Sequence, residues 1–537
     1  MALSLKVWLD HSSMRPDVAG RCHLVIEIEA SGEPVEAERP PATTVLALDV
    51  SGSMQGPPID QVIRSVDRLL DGLRPEDHVG VIAFSSGATR VVDPIAVDAA
   101  GKKLVRSRVA RLFAEGETNL EAGLNLAAEI LGPVGVDRRR GVLLLSDGEP
   151  TTGATTVAEL RAIVGKHRAI ASFSALGYGV KHDEDILSAI GDAGGGGYEF
   201  VPDPATCARA FAKALGAQAD VVADGIELSI APAVGVEVLR MLGGEPMRFG
   251  RGGLTISVPD MVPGTIRVLV AEIGLPVPGD QRFLLDVAKV QVVWRKPGSP
   301  AQTSIGNDVT IEIAAREPAV IAEARSRVML VRADRVREEA RGLADRGNFA
   351  GAAALLRREM AEIERVPGFV AGASTPLAEA YELLVDEAMA MDRRPDQEKY
   401  AMYRKSMVGS KLAISAPAAS SRGVGSSKLL DVAAGNYPEA YIIVKNGVAA
   451  GKRHRLGEDC VIGRTASADL PIVSEQISRR HAEIYALEGE YWACDLGSTN
   501  VTKVNGQHLG SAPRKLHAGD IVLVGDVELL YEEKPKT

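Results

Sequence analysis

Val45-Leu46-Ala47-Leu48-Asp49-Val50-Ser51-Gly52-Ser53-Met54 joins an aliphatic run to three oxygen-bearing side chains at alternate positions, Asp49, Ser51 and Ser53. An aliphatic run of this kind predicts a parallel strand buried on both faces. Residues just past its carboxyl end face the crevice where doubly wound α/β sheets bind ligands. One carboxylate and two hydroxyls are hard donors, suited to Mg²⁺ (or Mn²⁺/Ca²⁺) and poorly suited to zinc or copper.

Three oxygens do not fill an octahedral shell, so further donors are expected downstream. Thr118 sits in Gly116-Glu117-Thr118-Asn119, just before a helical pattern through Leu120, Leu124 and Leu131. Asp147 closes another hydrophobic strand, Val142 to Ser146, and opens the loop Gly148-Glu149-Pro150-Thr151. Asp-x-Ser-x-Ser, a loop threonine and Ser-Asp-Gly, in that order, resemble the von Willebrand factor A (vWA) domain with a metal-ion-dependent adhesion site. The resemblance implies that Asp49, Ser51, Ser53, Thr118 and Asp147 form a metal site, with a partner's carboxylate completing the shell. Taken alone, Asp-x-Ser-x-Ser also fits a helix cap, but the two later pieces weigh against that reading. A phosphatase built on Asp-x-Asp needs a second carboxylate where Ser51 stands, so no enzyme is expected.

A chain of 537 residues exceeds what one core supports and implies three or four domains. The net charge of −10 argues against non-specific nucleic-acid binding. No apolar run approaches the roughly 20 residues needed to span a bilayer. The amino terminus has no signal-peptide core, and the four cysteines are scattered without a Cys-x-x-Cys pair, so a cytoplasmic protein is expected.

Residues 1–42 alternate as strands (Leu5, Val7, Leu9; then Leu24, Ile26, Ile28). From 43 to 219 strands alternate with helices, as in a parallel sheet with right-handed crossovers. Gly194 to Gly197 is expected to be a flexible turn. Residues 220–314 return to short strands, which indicate a sandwich. A doubly wound insert enters and leaves at the edge opposite its strand carboxyl ends. Residues 1–42 and 220–314 are therefore expected to form one composite β-sandwich with the α/β domain inserted. Residues 315–407 read as a helical stalk or small bundle, including helix 395–407. Residues 408–438, rich in Gly, Ser and Ala, read as a flexible linker. The predicted class is thus multidomain α/β plus all-β.

Residues 439–537 are again all-β, with three loop clusters: Gly463-Arg464, Ser478-Arg479-Arg480-His481, and Asp495 to Asn500 followed by Asn505-Gly506. Together these resemble the forkhead-associated (FHA) domain, which binds phosphothreonine peptides. The resemblance implies that Arg464 and Ser478 meet the phosphate, that Thr499 and Asn500 bind phosphate or peptide backbone, and that Arg479 faces the peptide. A guanidinium and a hydroxyl suit a doubly charged phosphate. Gly463, His481, Asn505 and Gly506 are expected to be structural, with Asn505-Gly506 a hairpin turn. Val501 stands where the family commonly has glycine.

The combined expectation is a non-enzymatic adaptor with two recognition ends. One takes an acidic partner residue through the metal and the other a phosphothreonine protein, with a Ser/Thr kinase upstream. No threonine occurs between Pro376 and Arg464, so the phosphopeptide is expected to come from another protein. The alternative is a vWA subunit of an AAA-type ATPase/chaperone or metal-insertion complex. No Gly-x-x-x-x-Gly-Lys motif is present, so the nucleotide engine would lie on a separate chain.

Overall fold

In the computed structural model the described residues are 3–31, 40–179, 182–201, 207–243, 245, 247–250, 252–278, 283–373, 375–392, 404, 414–415, 437–465, 468–474, 476–487, 489–496, 498, 500–509 and 513–534. The expected helix 395–407 and linker 408–438 fall almost wholly outside them, as does Thr499.

The amino-terminal strands are β1 (Leu3–Leu9), β2 (Ser13–Met14) and β3 (Gly20–Ala30). The inserted domain follows in the order β4 (Ala42–Asp49), α1 (Pro57–Gly72), β5 (His78–Phe84), β6 (Ala88–Ala96), α2 (Ala99–Val109), α3 (Leu120–Leu131) and β7 (Arg139–Ser146). It continues through α4 (Val157–His167), β8 (Ser172–Tyr178), α5 (Glu184–Gly194), β9 (Gly195–Val201) and α6 (Cys207–Ala219). Its sheet order is β6-β5-β4-β7-β8-β9. The chain leaves β4 to one side for β5 and later returns on the other as β7, so the strand order reverses at the carboxyl end of β4. A crevice opens at that point.

Alternation along β4 builds two cores. Leu46 and Leu48 pack with Val62, Leu69 and Phe211 on one face. Val45 and Ala47 pack with Leu124, Val164 and Ile190 on the other. The sheet is not purely parallel: β6 pairs antiparallel with β5 as an edge strand, which the sequence reading passed over. Gly194 to Gly197 also departs from expectation. Gly195 caps α5 in the left-handed region at φ 76°, and the chain enters β9 at once. A Cβ on Gly196 would meet the Phe173 carbonyl oxygen at 2.3 Å. The glycines therefore permit a close approach between β8 and β9, and a flexible turn is not what they form.

The remaining sandwich strands are β10 (Asp224–Pro232), β11 (Glu237–Met241), β12 (Arg248–Gly250), β13 (Gly253–Val258), β14 (Ile266–Leu275), β15 (Leu284–Arg295) and β16 (Gln302–Ile313). Strand β3 lies between β1 and β14, and β2 closes the opposite sheet beside β16. Leu24, Ile26 and Ile28 thus share one core with Leu228, Ile256 and Val290. The sandwich meets the α/β domain at the amino ends of its strands. There Asp260 N–H donates to the Gly195 carbonyl at 3.0 Å, and Arg168 is ion-paired with Asp260. The carboxyl ends of the strands lie at the opposite edge, where Arg404 is ion-paired with Glu184 and Asp185 at the start of α5 and with Asp345 at the end of helix 322–345.

Helices α7 (Ala322–Asp345), α8 (Phe349–Glu364) and α9 (Pro376–Asp392) pack as a small bundle around Leu330, Ala340, Leu356, Ile363 and Leu384. Strand β17 (Ile414–Ser415) pairs with β14. Inside the bundle Arg337 Nε donates to Glu387 Oε1 at 2.6 Å, with both side chains 1% exposed. Removing one partner strands a buried charge, which costs about 3–5 kcal/mol. Urea unfolding should register that loss for Arg337→Met, and most of it should return in Arg337→Met/Glu387→Leu.

The bundle is fixed to the sandwich at Asp10, which is fully buried. His23 Nδ1 lies 2.7 Å and His11 Nδ1 2.9 Å from its oxygens, with Arg325 Nη1 at 3.6 Å. Burial pushes the Asp10 carboxyl up, but hydrogen bonds from His11 and His23 outweigh it and hold the group well below the usual carboxylate range. The hydrogen bond to Asp10 raises His11 in turn, against burial. A depressed acid contributes stability above its unfolded pKa of about 4 that is lost as pH falls. A raised histidine contributes stability below about 6.5 that is lost as pH rises. Thermal unfolding should therefore show a stability maximum between those values, and Asp10→Asn should flatten both limbs.

The carboxyl-terminal unit comprises β18 (Ala440–Val444), β19 (Arg453–Arg455), β20 (Asp459–Gly463), β21 (Leu470–Pro471), β22 (Ala482–Leu487), β23 (Glu490–Asp495), β24 (Lys503–Val504), β25 (Gln507–His508), β26 (Arg514–Lys515), β27 (Ile521–Val524) and β28 (Val527–Glu533). Its sheets, β19-β18-β28-β27-β24-β25 and β21-β20-β22-β23-β26, enclose Ile442, Ile462, Ile484, Val522 and Tyr531.

Candidate functional site

The parallel register sets Asp49 beside Phe84 on β5, while Leu48 faces Leu145 on β7. Ser146 and Asp147 therefore arrive next to Asp49. Two main-chain bonds stitch the neighbouring loop to this rim: Glu115 N–H donates to Val50 O at 2.7 Å and Gly52 N–H to Gly116 O at 3.0 Å. Thr118 is held in turn by Thr151, whose hydroxyl accepts from the Thr118 amide at 3.0 Å.

The five expected donors meet at this rim. Ser51 and Ser53 hydroxyls lie 3.1 Å apart, and Ser53 Oγ donates to Asp147 Oδ1 at 2.6 Å. A Cβ built on Gly148 would lie 3.2 Å from Thr118 Oγ1 and 3.6 Å from Ser53 Oγ, so those hydroxyls flank one backbone position. Asp49, Ser51, Thr118 and Asp147 are buried while Ser53 is exposed, which gives the cup one open side. Asp49 accepts from Ser146 Oγ at 2.5 Å and from the Ser51 amide at 2.8 Å. Burial pushes its carboxyl up to about 6 despite those bonds, and the charge of Asp147 adds to the rise.

A buried carboxylate beside a second one is a site whose electrostatics call for a cation. The hard hydroxyl and carboxylate set fits a hard divalent cation such as Mg²⁺, Mn²⁺ or Ca²⁺. The orienting hydroxyls of Ser146 and Thr151 escaped the sequence reading. Ser146 was legible only as the last residue of a strand, although a hydroxyl next to a buried carboxylate is a recognisable second contact.

At the loop end of the carboxyl-terminal sandwich, Arg464 N–H donates to Ser478 O at 3.1 Å, which ties two loops together. A Cβ on Gly463 would meet the Arg479 carbonyl oxygen at 1.7 Å, so no other residue permits that approach. His481 is fully buried, and burial lowers its pKa. The neutral ring accepts from the Ser478 amide at Nδ1, 3.0 Å away. Asn500 Nδ2 donates to Gln476 O at 2.9 Å, a brace between loops.

Asn505 takes φ 51° and Gly506 φ 77°, the hairpin turn that links β24 to β25. Asp495, not singled out in the sequence, organises the third loop. It accepts from the Ser498 amide at 2.8 Å and from the Thr502 hydroxyl at 2.6 Å. The guanidinium groups of Arg464 and Arg479 both reach acidic helix α9.

Comparison with known families matches residues 44–149 to the von Willebrand factor type A domain and residues 460–525 to the FHA domain. An uncharacterized protein of Synechocystis is 24% identical over 335 residues, covering 59% of this chain and 78% of that one. The glycogen accumulation regulator GarA of Mycolicibacterium smegmatis is 36% identical over 99 residues, or 18% of this chain, and those residues span 61% of its own length. Among solved structures, a von Willebrand factor type A protein from Catenulispora acidiphila superposes with TM-score 0.52 at 16% identity. It covers 80% of this chain and 95% of its own, a likeness of fold alone. Among the described residues no helix is long and apolar enough to cross a membrane.

Proposed function

We propose that this chain, which carries a vWA domain and an FHA domain, is a non-enzymatic adaptor that joins two proteins by separate chemistries. The vWA rim takes a divalent cation, Mg²⁺ foremost, held by Ser51, Ser53 and Thr118 with Asp49 and Asp147 behind them. A carboxylate from a partner then fills the open position. The FHA loops read a phosphothreonine through Arg464 and Ser478, so a Ser/Thr kinase acts upstream on another protein. The observation that carries the reading is the gathering of five oxygen donors from three separated segments around one rim.

Where the two ligands belong to one assembly that the linker can span, the second engagement occurs at the effective concentration set by the first; otherwise the two ends act independently. Pull-downs with the full chain, with and without EDTA and with and without phosphatase treatment, test the reading. Two sets of partners are expected, one lost to EDTA and the other lost to dephosphorylation. A single set indifferent to both treatments would sink it, and recovery of an ATPase in the EDTA-sensitive set would favour a subunit of a chaperone complex instead.

A further inference from the structure

The loop end of the FHA sandwich is covered on the side of its two arginines. Arg464 Nη2 lies 2.7 Å from Glu382 Oε2 and donates to Asp386 Oδ1 at 3.0 Å. Arg479 Nη1 donates to the main-chain carbonyl of Glu379, and its Nε lies 3.9 Å from Asp386 Oδ2. The Arg479 amide also hydrogen-bonds the Asp386 carboxylate. Glu379, Glu382 and Asp386 are three and four residues apart, so they line one stripe of α9. Towards the arginines the stripe presents the carboxylates of Glu382 and Asp386 and the main-chain oxygen of Glu379, a group of acceptors much like that of a phosphorylated side chain.

These are not ordinary surface pairs. Side-chain exposure is 24% for Arg464 and 20% for Glu382, and 15% for both Arg479 and Asp386. Burial pulls the Arg479 guanidinium down to about 10 and raises Asp386, against the attraction between the two. Groups withdrawn from water in this way interact more strongly than solvated ones.

We propose that α9 is an internal competitor for the phosphopeptide site, with Glu382 and Asp386 holding Arg464 and Arg479 until a phosphothreonine peptide displaces them. The inference rests on the phosphothreonine reading above. Helix and pocket belong to one chain, so they meet at an effective concentration of about millimolar order. An incoming peptide must exceed that, and displacement exposes the acidic stripe of α9 together with the pocket.

The test uses the full chain and a fluorescent peptide pool with a fixed central phosphothreonine and degenerate flanks, against the same pool unphosphorylated. Glu382→Gln/Asp386→Asn keeps side-chain volume and removes the charges, and it should bind the phosphorylated pool about tenfold tighter or more. Small-angle scattering provides a second measurement that needs no variant: saturating peptide should enlarge the radius of gyration of the wild-type protein as the sandwich leaves α9. Equal, phosphate-dependent affinities in the two proteins, or an unchanged radius with bound peptide, would overturn the competition while leaving the phosphothreonine reading intact. Absence of phosphate-dependent binding in both proteins would overturn the reading and the inference together.

Discussion

Asp49→Ala should lower Mg²⁺ affinity by more than about a hundredfold, beyond the range typical of losing an outer contact to a metal ligand. The carboxylate is fully buried at the end of a central strand, and burial already disfavours its charge in the metal-free fold. Removing it therefore takes away an electrostatic cost, while Ser146 Oγ and the Ser51 amide lose their hydrogen-bond acceptor. The two effects oppose each other, so in EDTA the variant should unfold within a few degrees of the wild-type protein. In Mg²⁺ only the wild type should gain thermal stability, because a ligand bound to the folded state alone raises the melting temperature. Calorimetric titration with Mg²⁺ and melting curves in both media check this, and an Mg²⁺-dependent rise in the variant would count against the site. Phosphopeptide affinity should not change.

Arg464→Ala should produce the mirror image. A guanidinium on a phosphate contributes charge-assisted hydrogen bonds of roughly 1.5–3 kcal/mol, or about 10- to 100-fold in affinity. The net loss should lie towards the lower end of that range, because the substitution also removes the contacts by which Glu382 and Asp386 hold Arg464, and Arg479 remains as a cation. Anisotropy with the phosphothreonine pool measures it. Mg²⁺ binding and its thermal shift should remain as in the wild type. Equal damage to both activities in either variant would contradict separable recognition ends.

What the sequence made legible follows from how local each signal is. The run Val45 to Leu48 announces a doubly buried strand, and Asp49, Ser51 and Ser53 follow it immediately, so their place at the rim needs only strand direction. Thr118 and Asp147 required the order of motifs as well. Strand β6 escaped because Arg90, Val91 and Val92 run without strict alternation beside Asp93 and Pro94, as an edge strand tolerates. The glycine run misled because flexibility in an isolated chain and close approach in a packed one call for the same residue. Strand β28 alternates Val527, Leu529 and Tyr531 inward, the period of a strand with one face on the core. The pairing of Arg464 with Glu382 joins residues far apart in the chain, and no local pattern encodes it.

The place where the inserted domain joins the sandwich has a consequence for folding. The chain enters at Ala42, whose amide is held by Asp77, and leaves towards Ala223, whose strand-like partner is Met261. Arg138 to Arg140 stand beside both crossings, in the crevice that Asp224 and Arg295 also line. Until the insert folds, the two halves of the sandwich must close a coil of its whole length, at a cost of about 4–5 kcal/mol. Once it folds, the same two points are held together by a rigid body. Damage deep in the α/β layers should therefore loosen the β-sheets beneath them, and hydrogen exchange in β3 and β14 would register it.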